Sequence, residues 1–367
     1  MVQSVIADAF PAAALGMAQI AAGGTAGHVV PALAVADALR AEGAEVTFVG
    51  GTRAEAQLVP AAGFPFHAIA VEGLSRSNPL RALRALTLAA AAVPRARALL
   101  KRLAPGAVMG GGGYVAGPVG LAALTLRIPL VLTEADSRLG LTNRMLAPFA
   151  TRVCLAFPLS GHRGDRYRVT GRPVPPPSED RRAARERLGI EVDETCVLVF
   201  GGSLGARSIN LAALEGFTGD DFRVLHVAGR RDHPELAARV LPSGYDLREY
   251  LELSAFGDAL AAADLVVARS GGSVFEIAAH GLPAILAPYP HASGDHQTEN
   301  ARWMSDAGAA ITIPDGELTG ARLRSETLML LSDRVRLAAM ASASKSLARP
   351  EAAAEVAGEL LEAARSA

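Results

Sequence analysis

Between Arg269 and Asn300 the chain carries side chains and backbone suited to gripping a nucleotide sugar. The apolar run Leu265–Ala268 leads into Arg269-Ser-Gly-Gly-Ser-Val-Phe-Glu276, where a helix is predicted to open at about Ser273 with Glu276 on its first turn. N–H groups at a helix start are unpaired and sit at the positive end of the dipole, so the turn Ser270, Gly271, Gly272, Ser273 suits a diphosphate. Glu276 cannot favour an anion, but it can accept from a ribose hydroxyl. Further on, Pro290-His-Ala-Ser-Gly-Asp-His-Gln-Thr-Glu-Asn300 supplies His296, Gln297 and Asn300. These form either a polar cluster for sugar hydroxyls or a solvated loop.

Three more glycine-rich turns follow strand-like runs. They are Gly23-Gly-Thr-Ala-Gly-His28, Gly110-Gly-Gly-Gly-Tyr-Val-Ala-Gly117 and Gly201-Gly-Ser-Leu-Gly-Ala206. Glycine lets the backbone approach a ligand closely and adopt positive φ. Gly23–His28 is not Gly-x-Gly-x-x-Gly, and the second strand ends Val49-Gly-Gly-Thr-Arg53 without an acidic residue. No Gly-Lys-Ser/Thr occurs either. Hydride transfer from a dinucleotide and Walker-type nucleotide hydrolysis are therefore excluded. His28, beside the first turn, is either a general base for an attacking hydroxyl or a helix-entry histidine bonded to backbone. Glu134, just past an apolar run, either binds an acceptor or caps its own loop. The carboxylates are scattered, and no metal site is expected.

The elements that must position these residues are short apolar runs alternating with Ala/Leu/Arg-rich helical stretches. Strands are predicted at Met17–Ala22, Glu45–Val49, Ala107–Met109, Pro129–Leu132 and Val153–Phe157, then at Cys196–Phe200, Arg223–Val227, Leu265–Ala268 and Ala284–Ala287. Helices are predicted at Pro31–Arg40, from Pro118, and at Ala352–Ala364. This pattern implies an α/β fold of two doubly wound parallel-sheet domains, with ligands at the carboxyl ends of the strands. Four prolines lie within residues 173–177, a stiff segment suited to a linker. The expected division is an extension over 1–15, a first domain over 16–170, a linker over 171–180, a second domain over 181–350 and a helix over 351–367 returning to the first domain.

The formal net charge of -1 gives no global pull toward nucleic acid or membrane. Locally, residues 73–133 hold eight Arg or Lys and no Asp or Glu. Within them Leu80-Arg-Ala-Leu-Arg-Ala-Leu86 describes either a basic amphipathic helix resting on an anionic membrane or one packed on the sheet. Cys154 and Cys196 sit in apolar runs, which fits a reducing compartment. No apolar run is long enough to span a bilayer, and the first residues lack a basic leader region, so a cytoplasmic location is expected.

Four stretches together resemble the MurG family of glycosyltransferases, within glycosyltransferase family 28. They are Gly23-Gly-Thr-Ala-Gly-His-Val-Val-Pro-Ala-Leu33, Gly112-Gly-Tyr-Val-Ala-Gly-Pro118, Gly201-Gly-Ser-Leu-Gly-Ala-Arg207 and Arg269–Asn300. The resemblance implies a GT-B fold, two Rossmann-like domains facing a cleft. It also implies inverting transfer of N-acetylglucosamine from UDP to the 4-hydroxyl of the muramoyl sugar of lipid I, without a metal or cofactor in the chemical step. It gives His28 the role of base. Ser203 and Ser270–Ser273 go to the diphosphate, Glu276 to the ribose, and His296 and Gln297 to the donor sugar. Thr25, Gly27, Gly205 and Asn300 complete the donor set, while Tyr114, Glu134 and Asn143 line the acceptor side. The Leu80–Leu86 segment becomes the contact with the inner face of the membrane. Two stretches depart from the family pattern. Thr133-Glu-Ala-Asp136 stands where His-Glu-Gln-Asn is usual, and Arg172-Pro-Val-Pro175 where Asn-Pro-Val-Arg is usual. The usual uracil-contacting segment is not recognisable around Leu253–Gly257. Two other readings stay open: a related transferase with another glycolipid or secondary-metabolite acceptor, and a UDP-N-acetylglucosamine 2-epimerase.

Overall fold

The computed structural model describes residues 17–24, 26–73, 79–178, 180–219 and 222–366. The extension predicted over 1–15 and Thr25 lie outside them. The chain divides into two compact units, one comprising Met1–Pro175 with Arg349–Ala367 and the other Pro176–Ala348. The division falls inside the proline-rich segment, where fixed φ angles stiffen the backbone.

The first unit is built on a parallel sheet of β1 (Ala18–Ala21), β2 (Val46–Gly50), β3 (Phe66–Ala68), β4 (Ala107–Gly110), β5 (Leu130–Glu134), β6 (Arg152–Leu155) and β7 (Tyr167–Val169), in the order β3-β2-β1-β4-β5-β6-β7. Core clusters cover both faces of this sheet. One face is covered by the helix Ala26–Ala41 and by the C-terminal helix Ala352–Arg365, whose Val356, Leu360 and Ala363 are buried against Ile20, Phe48 and Met109. Arg152 of β6 also pairs with Glu359 of that helix at 2.8 Å. On the other face lie Ala92, Ala96 and Leu100 of the helix Pro79–Leu103, together with Val119 and Ala122 of the helix Ala116–Thr125.

The second unit repeats the plan with β8 (Cys196–Phe200), β9 (Arg223–Val227), β10 (Tyr245–Arg248), β11 (Leu265–Ala268), β12 (Ala284–Leu286) and β13 (Ala310–Thr312), all parallel in the order β10-β9-β8-β11-β12-β13. In both sheets the strand order reverses direction next to the first strand, between β1 and β4 and between β8 and β11. Sheets of this kind bind ligands at that reversal. Each of these four strands is followed by one of the four glycine-rich turns. The sequence pattern had found the nine inner strands, but not β3, β7, β10 and β13. Those four are the sheet edges, only partly buried and interrupted by polar residues such as His67, Arg168, Asp246 and Thr312.

A buried arginine locks the second sheet. Arg185, on the helix Arg181–Leu188, donates to the carbonyls of Glu191, Val192, Glu194 and Ala262 and to Asp264. Asp264 in turn accepts from Cys196 N at 2.8 Å, so one carboxylate ties the start of β8 to the start of β11. Removing one partner of a buried pair strands the other's charge. Arg185→Met should therefore lower the unfolding free energy of this unit by about 3 kcal/mol or more, read from the urea midpoint. A change within about 0.5 kcal/mol, the range of an ordinary surface substitution, would show that the helix is held by packing alone.

Candidate active site

At the reversal of the first sheet, the turns after β1 and β4 interlock. Gly111 N–H donates to Ala21 O at 2.9 Å, and a Cβ built on Gly113 would stand 2.1 Å from Gly23 O. Gly113 also has φ +75°, so both space and backbone require glycine there. The helix after β1 begins at Ala26 rather than near Pro31, which places His28 in its first turn instead of in the loop. The imidazole lies against the next turn, since a Cβ on Gly112 would be 2.8 Å from its Cδ2.

Pro31 lies inside this helix and has no N–H to offer the carbonyl four residues back, that of Gly27. The buried Arg172 guanidinium donates to that carbonyl instead. An arginine is thus present beside the first turn although Pro175 stands where the family pattern has one. Burial pushes the His28 imidazole below the ordinary histidine value, and Arg172 adds to this effect. The carboxylates of Asp136 and Glu55 pull the other way. The result favours a neutral imidazole, the form that accepts a proton.

Tyr114 follows the β4 turn, with Arg53 stacked 5.5 Å from its ring centre. Its hydroxyl donates to Glu55 at 3.3 Å, and burial and that carboxylate raise its pKa. Glu134 at the end of β5 is buried and engaged with its own loop. It accepts from Asp136 N at 3.2 Å, Gly140 N at 2.7 Å and Asn143 Nδ2 at 2.9 Å. Between the two alternatives for Glu134, this geometry favours shaping the loop over direct contact with an acceptor. Asn143 also donates to Thr133 O at 2.9 Å, and its buried Oδ1 has no partner among the described residues.

The second unit presents two helix starts. The helices Arg207–Gly216 and Ser273–His280 both begin without a side-chain cap. In the second, the Val274 and Phe275 N–H groups already donate to the Gly271 and Gly272 carbonyls, so an anion would meet the turn ahead of them, Gly271–Ser273. Ser203 is exposed on the turn before the first of them. Gly205, at φ +85°, would carry a Cβ 2.0 Å from Ala228 O. That turn rests on a buried chain of hydrogen bonds. Asn210 Nδ2 donates to Ala228 O and to Asp232, so Asn210 Oδ1 must take the proton of His226 Nε2, which leaves His226 Nδ1 to accept from Tyr245. Burial holds His226 at a pKa of about 3, and it stays neutral.

Two of the expected donor residues turn their side chains inward. Ser270 is fully buried, and its hydroxyl donates to Gln297 O at 2.7 Å rather than facing a phosphate. Asn300 is also buried and donates to Ser270 O at 3.0 Å, bracing that turn. Gly271, Gly272 and Ser273 remain partly exposed, and so do Glu276, His296 and Gln297. Gln297 receives Tyr289 N–H on its Oε1 at 2.9 Å, which leaves its amide protons toward Gly271. The sequence reading missed how Arg269 works. Its guanidinium bonds Asp315, Ser208 and the Ala287 and Pro288 carbonyls, bracing the strand end instead of reaching outward. Among the described residues no group of three or more His, Cys, Asp or Glu side chains is placed to hold a metal.

The glycosyltransferase family 28 N-terminal domain matches residues 19–155, and the family 28 C-terminal domain matches residues 196–356. A UDP-N-acetylglucosamine--N-acetylmuramyl-(pentapeptide) pyrophosphoryl-undecaprenol N-acetylglucosamine transferase from Moorella thermoacetica is 41% identical over 352 residues, covering 91% of this chain and 95% of that protein. The same-named enzyme of Rubrobacter xylanophilus is 42% identical over 344 residues, covering 90% and 99%. The crystal structure of Acinetobacter baumannii MurG superposes with a TM-score of 0.72 at 30% identity, covering 94% of this chain and 99% of that one. A UDP-N-acetylglucosamine 2-epimerase shares the fold with a TM-score of 0.67 but only 17% identity. With GT-B architecture and family matches across both units, the chain belongs to glycosyltransferase family 28, among its MurG members.

Proposed function

We propose that this protein transfers N-acetylglucosamine from UDP-N-acetylglucosamine to the 4-hydroxyl of the muramoyl sugar of lipid I, giving lipid II for peptidoglycan synthesis. The observation that carries this reading is the histidine set against the glycine turn at the first sheet's reversal, together with the two helix starts without side-chain caps at the second's. His28 accepts the proton as the acceptor oxygen attacks C1 of the donor sugar. The C1–O bond to the diphosphate breaks on the opposite face, so the configuration inverts. UDP leaves with the electron pair, and the N–H groups near Ser203 and Ser273 meet its charge. No metal is assigned to this step. Glu276 takes the ribose, and His296 and Gln297 take the donor sugar.

The protein is proposed to work at the inner face of the cytoplasmic membrane. On the helix Pro79–Leu103, Leu80, Leu83 and Leu86 are 78%, 60% and 54% exposed, while Ala85, Ala92 and Ala96 of the same helix are buried. The amphipathic helix packs one face on the sheet and leaves these leucines exposed on the other, which supports the membrane reading. No described helix is long and apolar enough to cross a membrane.

Three outcomes test this reading. With UDP-N-acetylglucosamine, a soluble lipid I analogue and a chelator, the protein should form UDP and disaccharide, and His28→Ala should slow turnover by about 10²–10⁴-fold. UDP-N-acetylmannosamine appearing without acceptor would instead identify an epimerase, and turnover only with another glycolipid would reassign the acceptor. The base must be neutral, so kcat/KM should fall as pH drops through the His28 pKa, below the ordinary 6.5. Arg172→Met should move that limb to higher pH and Asp136→Asn to lower pH; an unmoved limb in both would place the base elsewhere. Replacing Leu80, Leu83 and Leu86 with serine should weaken co-sedimentation with anionic vesicles by roughly tenfold or more, while turnover of the soluble acceptor stays unchanged. Equal sedimentation would remove this helix from the membrane contact.

A further inference from the structure

Glu55 is the first residue of the helix Glu55–Ala61, five residues past the end of β2, and it is fully buried. An acidic residue near this strand end would grip a ribose in a dinucleotide-binding domain. Here it is turned inward. Its Oε2 accepts Gly24 N–H at 2.9 Å, and its Oε1 accepts Gly51 N–H at 2.8 Å and the Tyr114 hydroxyl at 3.3 Å. One carboxylate therefore joins the loops that leave β1, β2 and β4.

The space around it is closed. Cβ atoms on Gly23 and Gly51 would lie 2.8 and 2.9 Å from Oε1, and one on Gly50 would lie 2.6 Å from Cγ. Packing alone needs only a side chain of that volume. A carboxylate adds two acceptor oxygens for two backbone N–H groups, which glutamine cannot match because its amide nitrogen would face one of them. It also adds a full negative charge.

We propose that Glu55 is a positioning residue for the acceptor half of the reaction. It fixes the Gly23–Gly24 turn and Tyr114 so that both present a defined wall to the incoming sugar. This inference rests on the reading of the first unit as the acceptor side with His28 as base. The same carboxylate supports a higher pKa at His28. Its removal should therefore be legible in the pH profile, where loss of packing would leave no mark.

The test uses the full chain with Glu55→Gln and Glu55→Asp. Glu55→Gln should lower kcat/KM for the soluble lipid I analogue on the order of 100-fold, as a misplacement of about 1 Å does. UDP affinity, whose diphosphate and ribose contacts are proposed on the other unit, should stay within about twofold. The acid limb should move to lower pH, and hydrogen exchange at the Gly24 and Gly51 amides should quicken. Glu55→Asp, which keeps the charge, should leave the limb in place with turnover only partly reduced. Wild-type acceptor kinetics in Glu55→Gln, or an unmoved limb with slowed turnover, would overturn the proposal. If Glu55→Gln fails to fold, Glu55→Asp decides: slowed acceptor turnover with unchanged UDP affinity supports it, and wild-type turnover overturns it. Should His28→Ala stay active, the base reading falls by itself, while amide exchange still reports whether Glu55 holds the turns.

Discussion

The close approach of backbone to backbone where the first sheet reverses is the constraint on which its chemistry depends. A Cβ at Gly113 would meet Gly23 O at 2.1 Å, so the turns after β1 and β4 can interlock only without side chains. That interlock sets the imidazole of His28 against Gly112 and carries Tyr114 toward Glu55. The second unit solves the same problem at Gly205 and Ala228 O. In each unit the glycines do not merely loosen a loop. They let one loop serve as the wall of the next, and in the second unit two helix starts are left free of side-chain caps.

Around the first interlock, charges are buried only where backbone can receive them. Glu55 is met by two N–H groups, and Arg172 meets a carbonyl that Pro31 leaves without its helical partner. A proline within a helix usually costs stability through that lost bond. Here the lost bond becomes a docking point for a guanidinium beside His28. The second unit holds Arg269 and Arg185 the same way, against carbonyls and one carboxylate each, so neither cation projects as a ligand group.

How much of this was legible in the sequence follows from burial. Inner strands such as Cys196–Phe200 are covered on both faces and read as unbroken apolar runs, whereas edge strands such as Tyr245–Arg248 are half solvated and do not. The glycine turns were legible because their composition is a backbone requirement. Side-chain direction was not. Ser270 and Asn300 have the residue types of sugar and phosphate ligands, yet they bond each other's loops, and no spacing rule separates inward from outward at a turn. Glu55 escaped notice for the converse reason. An acidic residue opening a short helix reads as a solvated first turn until three loops are seen to close over it.

The two departures from the family pattern acquire a physical relation in the fold. Thr133-Glu-Ala-Asp136 puts an aspartate where asparagine is usual, and Arg172-Pro-Val-Pro175 puts an arginine where asparagine is usual. Both new charges act on His28, and in opposite directions. Burial remains the largest influence on His28, with Arg172 acting alongside it and Asp136 against it.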